Sequence, residues 1–241
     1  WALRREMGLP DRADPLGTDA FSPLLNLAMF SPMLARPQPD WPAATRQTGF
    51  AFYDAPDPDH PPAPDLEAFL QSGPAPIVFT LGSAAVHAAR RFYPDSLHAA
   101  RALGRRALLL TGPDRQGLPD PLPDWALAVP YAPHATVFPR ACAVVHQGGA
   151  GTTGQAMRAG RPMLVVPFAH DQPDNAARMR RAGVAHVLPI SRYTAARAAG
   201  LLRAVLADTR LAARAGAIGT AVRAEDGVAA ACDALEAVLP A

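Results

Sequence analysis

From residue 77 onward, short and almost wholly apolar runs alternate with longer segments whose apolar positions recur at helical spacing. The runs are Ile77 to Leu81, Ala107 to Leu110, Trp125 to Val129, Cys142 to Val145, Met163 to Val166 and Val184 to Leu188. Runs that are apolar on both alternating faces read as strands covered on both sides, as in a parallel sheet. Between and after them, helices are expected over Phe92 to Leu103, Gly151 to about Ala159, Asn175 to Arg181, Thr194 to about Ala207, Arg210 to Arg223 and Gly227 to Leu239. Strands alternating with helices at this spacing make βαβ units with right-handed crossovers, so the expected class is α/β: a Rossmann-like, doubly wound parallel sheet.

The first 65 residues follow a different pattern. Trp1 to Gly8 reads as a helix end, Leu24 to Phe30 as a short strand, and Gln47 to Tyr53 as an apolar piece between turn signals. From Asp54 to Asp65 the chain reads DAPDPDHPPAPD, a proline-dense stretch that lacks backbone donors and stays extended, as a semi-rigid linker does. The expected division is therefore a segment 1–53, a linker 54–65 and a domain 66–241. Asp57-Pro58-Asp59 is formally a D-x-D metal pattern, but its proline-rich setting reads as linker, and no metal site is assigned. A chain that opens on Trp1 is expected to be a processed or partial product.

The chemistry concentrates between Val144 and Asn175. There a strand runs into His146-Gln147-Gly148-Gly149-Ala150-Gly151, then Thr152-Thr153 and a helix. Glycines allow positive φ and close approach of a ligand to the main chain, while the helix start offers unpaired N–H groups and the positive end of the helix dipole. That combination suits a phosphate. The next strand leads into Pro167-Phe168-Ala169-His170-Asp171-Gln172, so both polar clusters follow strands and lie on one sheet edge, where ligands of open α/β sheets collect. A phosphate cradle beside groups that hold hydroxyls fits a nucleotide sugar. A rival pattern shares the stretch: Gly149-Ala150-Gly151-Thr152-Thr153-Gly154 spells G-x-G-x-x-G, the dinucleotide fingerprint that would bind NAD. That fingerprint belongs on the first βα turn of its fold, whereas several strand-like runs precede it here.

Composition narrows the partners. Lys+Arg total 23 and Asp+Glu 21, for a net charge of +2, with every basic residue an Arg and none in a block. No electrostatic footprint for nucleic acid or anionic lipid is present. Two cysteines, Cys142 and Cys232, are too few for a disulfide framework, and no apolar run approaches a membrane span; a cytoplasmic location is expected.

Three ordered pieces, Tyr131-Ala132-Pro133-His134, His146-x-Gly-Gly-Ala-Gly-Thr and Asp171-Gln172-Pro173 with Asn175, together resemble the donor-binding motif of family 1 glycosyltransferases. These are the UDP-glycosyltransferases of the GT-B fold, and the likeness is strongest to the bacterial macrolide and sterol-type branch. It extends from about Pro76 to the end of the chain. The resemblance implies the C-terminal, donor-binding half of a GT-B fold carrying a remnant of the N-terminal acceptor domain. It also implies an inverting, metal-independent transfer of a hexose from a UDP-sugar to a hydroxyl of a small lipophilic acceptor, with no further cofactor.

By the same resemblance Ser83 faces the donor phosphates and Tyr131 stands beside the base, with Ala132 and His134 at its edge. His146 donates to the diphosphate. Gly148, Gly149, Gly151 and Thr152 supply close approach and N–H or hydroxyl donors. Asp171 and Gln172 grip adjacent sugar hydroxyls, and Asp171 can also cap the helix that follows. The family's general base, a histidine of the N-terminal domain, has no counterpart to assign in this sequence. The chain is therefore expected to bind donor without turnover, its missing half being an N-terminal domain or a separate partner chain. A non-catalytic nucleotide-sugar-binding subunit and a nucleotide-sugar epimerase on the same scaffold remain open, as does UDP against TDP. The final helix of such folds commonly returns to the other domain, and Val228, Leu235, Val238 and Leu239 either make that contact or cover this sheet.

Overall fold

A computed structural model describes residues 2–8, 20–54, 63–82, 89, 91–113, 115 and 117–239. In chain order the elements are α1 (Ala2–Glu6), β1 (Asn26–Ala28), β2 (Thr45–Gln47), α2 (Pro64–Gln71), β3 (Ile77–Thr80), α3 (Phe92–Ala102), β4 (Ala107–Leu110), β5 (Ala126–Val129) and α4 (His134–Val137). They continue with β6 (Ala143–His146), α5 (Ala150–Ala159), β7 (Met163–Val165), α6 (Gln172–Arg181), β8 (Ala185–Val187), α7 (Ala195–Ala207), α8 (Thr209–Arg223) and α9 (Gly227–Glu236).

Strands β3 to β8 form one six-stranded sheet in the order β5-β4-β3-β6-β7-β8, with every neighbouring pair parallel. The chain lays down β3, β4 and β5 in one direction, then returns to the other side of β3 with β6 and continues outward. The direction of winding therefore reverses between β3 and β6, and the doubly wound α/β class expected from the sequence is the one observed. The glycine turn comes after the fourth strand of this sheet in sequence, yet that strand is central in space.

Each strand sends alternate side chains to two separate cores. On one face Val78, Leu108, Val144 and Val165 pack with Met157 of α5, Met179 of α6 and Val222 of α8. On the other, Ile77, Phe79, Leu109, Val145 and Leu164 pack with Phe92 and Leu97 of α3 and Leu202 and Val205 of α7. Burial on both faces explains why these strands read as unbroken apolar runs. The later helices are delimited by side-chain caps: Thr194 Oγ1 accepts from Arg197 N, Asp208 Oδ1 from Arg210 N and Leu211 N, and Asp226 Oδ1 from Ala229 N.

Residues 20–54 have no core of their own. β1 and β2 form a two-stranded parallel pair, Leu34 and Phe50 join the core on the α5 face, and the Phe50 ring lies against Gly154 in α5. Ser31 Oγ donates to Glu225 Oε1 at 2.6 Å, and Arg158 pairs with Asp54 at 2.6 Å. Residues 55–62 of the expected linker, with the D-x-D pattern, lie outside the described residues. Val228, Leu235, Val238 and Leu239 are exposed, so they do not cover this sheet.

The last residue of β6, His146, is fully buried. Its Nδ1 accepts from Gly148 N at 3.1 Å, which puts the ring proton on Nε2, 3.3 Å from Met163 Sδ. Burial, with a smaller contribution from His134, pushes the pKa of His146 down from 6.5 to about 3. His134 is pushed down to about 4, also by burial.

Two predictions follow from this packing. Helices α5 and α8 meet through glycine: Gly160 closes α5 at φ +66°, and a Cβ on Gly219 would lie 2.6 Å from Gly160 Cα and 2.8 Å from its N. Gly219→Ala forces two backbones apart and should destabilise by about 1–3 kcal/mol in a urea titration, whereas an alanine at the open Gly200 should not. The second concerns pH. Because both histidines are held neutral in the fold, the unfolded chain binds more protons below its ordinary histidine pKa, so stability falls as pH drops from 6.5 toward 3. The unfolding midpoint should decline between pH 7 and 5, above the range where carboxylates titrate. His146→Asn, whose Oδ1 also accepts from Gly148 N–H, should flatten that decline; an unchanged slope would sink this account.

Candidate donor site

A cavity of about 640 Å³ opens at the carboxyl ends of the strands, across the point where the winding reverses. Thr80 and Gly82 bound it at the end of β3, Leu110, Gly112 and Pro113 after β4, and Pro130 to Ala132 with His134 after β5. The fourth wall is the first two turns of α5, with Gly151, Thr152 and Gln155. Apolar and aromatic groups and the N-terminal part of a helix therefore line the same cavity.

Of the residues expected at the site, the structure brings Tyr131, Ala132, His134, Gly151 and Thr152 together around this cavity. Tyr131 is 47% exposed, not tucked into the core. Ala132 is buried in the wall. His134 opens α4, a short helix that the sequence pattern did not disclose, and stacks on Phe138 with ring centroids 4.4 Å apart and planes 13° apart. With its pKa near 4 the imidazole is neutral at pH 7 and offers one donor and one acceptor.

Gly151 has no atom within 4 Å of where a Cβ would stand, so this glycine leaves space in the cavity. The helix begins one residue earlier than expected, at Ala150, with Gly149 as N-cap and no side-chain cap bond. Thr152 and Thr153 therefore sit within the first turn. Ser83 lies outside the described residues.

Five other expected residues, His146, Gly148, Gly149, Asp171 and Gln172, are not among those that line the cavity. His146 was expected to donate to a diphosphate. Instead its ring is buried in the sheet, with Nδ1 occupied by Gly148 N–H and Nε2 directed at Met163, so it shapes the turn. Gly148 was expected to offer an N–H, which that same bond occupies. It is glycine because φ is +93° and a Cβ would meet Val165 Cγ1 at 2.9 Å. Gly149 would meet Gln147 Nε2 at 2.8 Å if it bore a Cβ.

Asp171 and Gln172 follow β7 on the same sheet edge. Asp171 is exposed and occupies the N-cap position of α6 without making a cap bond, and its Oδ2 accepts from Asn175 Nδ2 at 2.8 Å. The Gln172 carbonyl Oε1 accepts from Phe168 N at 2.8 Å and Ala169 N at 3.3 Å, which turns that end of the side chain into the loop.

Two residues that the sequence left without a role, Asn175 of the motif and Gln147 of the turn, are central in the structure. Asn175 Nδ2 donates both to Gly148 O at 2.9 Å and to Asp171 Oδ2, tying the two post-strand clusters together. The signal for it was present, since Asp171 and Asn175 are four apart at a helix start. Gln147, 7% exposed, reaches from the turn toward Thr152 and Gly82, and nothing in its spacing announced it.

The family model described as erythromycin biosynthesis protein CIII-like, C-terminal domain, matches residues 109–235. Over 188 residues the chain is 41% identical to O-mycaminosyltylonolide 6-deoxyallosyltransferase of Streptomyces fradiae, a match covering 77% of this chain and 43% of that relative. Among solved structures, the glycotransferase of kitacinnamycin superposes with a TM-score of 0.80 at 24% identity, covering 99% of this chain and 60% of that one. A spinosyn rhamnosyltransferase complexed with thymidine diphosphate superposes with a TM-score of 0.72 at 23% identity, over 98% of this chain and 60% of its own. The chain thus spans less than half the length of the curated relative. With the family model covering more than half of its residues, the chain belongs to the erythromycin CIII-like C-terminal domain family, in the macrolide branch of the family 1 glycosyltransferases of GT-B fold.

Proposed function

We propose that this chain is the donor-binding half of an inverting glycosyltransferase that moves a hexose from a pyrimidine nucleoside diphosphate sugar to a hydroxyl of a small lipophilic acceptor. The observation that carries this reading is one cavity lined both by Tyr131 and His134 and by the uncapped N-terminal part of α5. A base stacks on Tyr131 and meets the neutral His134 at its edge. The diphosphate lies against Gly151 and Thr152, where orphan N–H groups and the helix dipole favour an anion by about 0.3–1 kcal/mol. Asp171, exposed at the end of β7, meets the hexose hydroxyls.

In the transfer, the acceptor oxygen bonds to the anomeric carbon from the face opposite the diphosphate. The bond from that carbon to the phosphate oxygen breaks, and its electron pair leaves with the nucleoside diphosphate. The acceptor proton goes to a base outside residues 1–241, in an acceptor-binding half of which 1–53 is the end. This chain's part is to hold the donor and stabilise the charge that grows on the departing diphosphate, a term that acts in the transition state. UDP is the nucleotide of the wider family; the thymidine diphosphate in the spinosyn rhamnosyltransferase supports the thymidine counterpart.

Calorimetric titration with UDP, TDP and NAD should show binding of UDP or TDP and none of NAD. Gly151→Leu fills open space in the cavity and replaces a helical glycine, so the melting temperature should hold or rise while nucleotide affinity falls at least about tenfold. NAD binding, or nucleotide binding indifferent to Gly151→Leu, would overturn the proposal. With UDP-glucose or TDP-glucose and a macrolide acceptor the chain alone should give no glycoside; product formation would place the base within it.

A further inference from the structure

The carboxamide of Gln147 is the feature of the turn that the reading above leaves without a role. It leaves the sheet one residue after β6 and is 7% exposed. Its Nε2 sits in a slot between two glycines: a Cβ on Gly82 would lie 2.5 Å from it, and one on Gly149 would lie 2.8 Å from it. Gly82 continues β3 and Gly149 caps α5, so this amide bridges the two strands between which the winding reverses. A side chain at either glycine would press on the amide between them, and Gly82 is also required by its own backbone, at φ +64°.

Nε2 donates to Thr152 Oγ1 at 3.4 Å, while Oε1 is buried without a partner among the described residues. A buried amide that leaves its acceptor unpaired bears a desolvation cost, and such groups persist where they serve a site. The bond to Thr152 has a directional consequence. A hydroxyl that accepts on its inner side keeps its own O–H for a partner elsewhere, and Thr152 lines the cavity.

We propose that Gln147 is a diphosphate-positioning residue, which lies in the slot between Gly82 and Gly149 and fixes the Thr152 hydroxyl as a donor toward the anionic part of the ligand. The inference rests on the donor-site reading above and adds to it the residue that sets the polarity of the cradle. It assigns the anion-binding strength of the site partly to a neutral side chain that sits beneath the cavity wall. Because the amide acts through Thr152, the two residues form one unit.

The test is a double-mutant cycle on the whole chain with Gln147→Met, Thr152→Val and the pair, read by calorimetry with UDP and uridine, and with TDP and thymidine. Methionine keeps the length and volume of glutamine and removes the donor. The expected result is a loss of about tenfold in UDP or TDP affinity for each single variant, nucleoside affinity within about twofold of wild type, and no further loss in the double variant. Additive losses, equal losses for nucleoside and diphosphate, or wild-type affinity in Gln147→Met would each overturn it. Thermal unfolding verifies that the variants fold. If Gln147→Met does not, Gln147→Glu takes its place, with a loss confined to the diphosphate expected and an equal nucleoside loss overturning the proposal. Wild-type chain that binds neither UDP nor TDP would instead refute the donor-site reading itself, so the two failures are distinguishable.

Discussion

The parallel pairing of Ile77, Val78 and Phe79 with Ala143, Val144 and Val145 is the contact on which the site depends. These two strands are far apart in sequence, and the chain winds away from them in opposite directions. Connections that wind away in opposite directions leave a crevice at the carboxyl ends of such a strand pair, where ligands of open α/β sheets collect. Everything the cavity needs is delivered to that crevice. β3 brings Gly82, β5 brings Tyr131 and His134, and β6 brings the turn that opens α5. Both faces of the pair are buried under separate cores, which fixes its register and so the height at which each loop emerges.

The glycine turn shows how much polar chemistry a binding loop consumes in holding its own shape. Gly148 N–H goes to His146, Gly148 O receives Asn175, and Gln172 gathers two N–H groups of the next loop. Each of these groups, if buried and left unpaired, would forfeit about 1–3 kcal/mol. Residues whose chemistry looks suited to a ligand are thus drafted into the scaffold, and the cavity is lined by what remains: the start of α5, an exposed ring and a neutral imidazole.

Most of the fold was legible in the sequence because doubly buried strands and amphipathic helices have different periods, and Ile77 to Val187 obeys both in turn. Strand ends shifted by a residue or two. The short α4 was hidden because Pro133 and Pro139 bracket it and it is too short to show a period. The site was legible by region and less so by residue. Tyr131, His134 and Thr152 line one cavity, but a motif reports which residue types occur together and not which way each side chain turns. His146 could not be told from a ligand donor without seeing Met163 and Gly148 around its ring, and Gln147 could not be noticed without Gly82 beside it.

The composition of the cavity wall also decides how such a chain can be recombined with others. Its contributors lie between Thr80 and Gln155, and each of the loops after β3, β4, β5 and β6 supplies part of it. A splice anywhere inside that block would join half a pocket from one parent to half from another. The Gly160 and Gly219 crossing lies beyond the block and can be transplanted only as a pair, since the two backbones touch where neither has a side chain. The wall of the cavity therefore travels as one cassette of sequence, to which the loop after β7 is tied through Asn175 and Gly148.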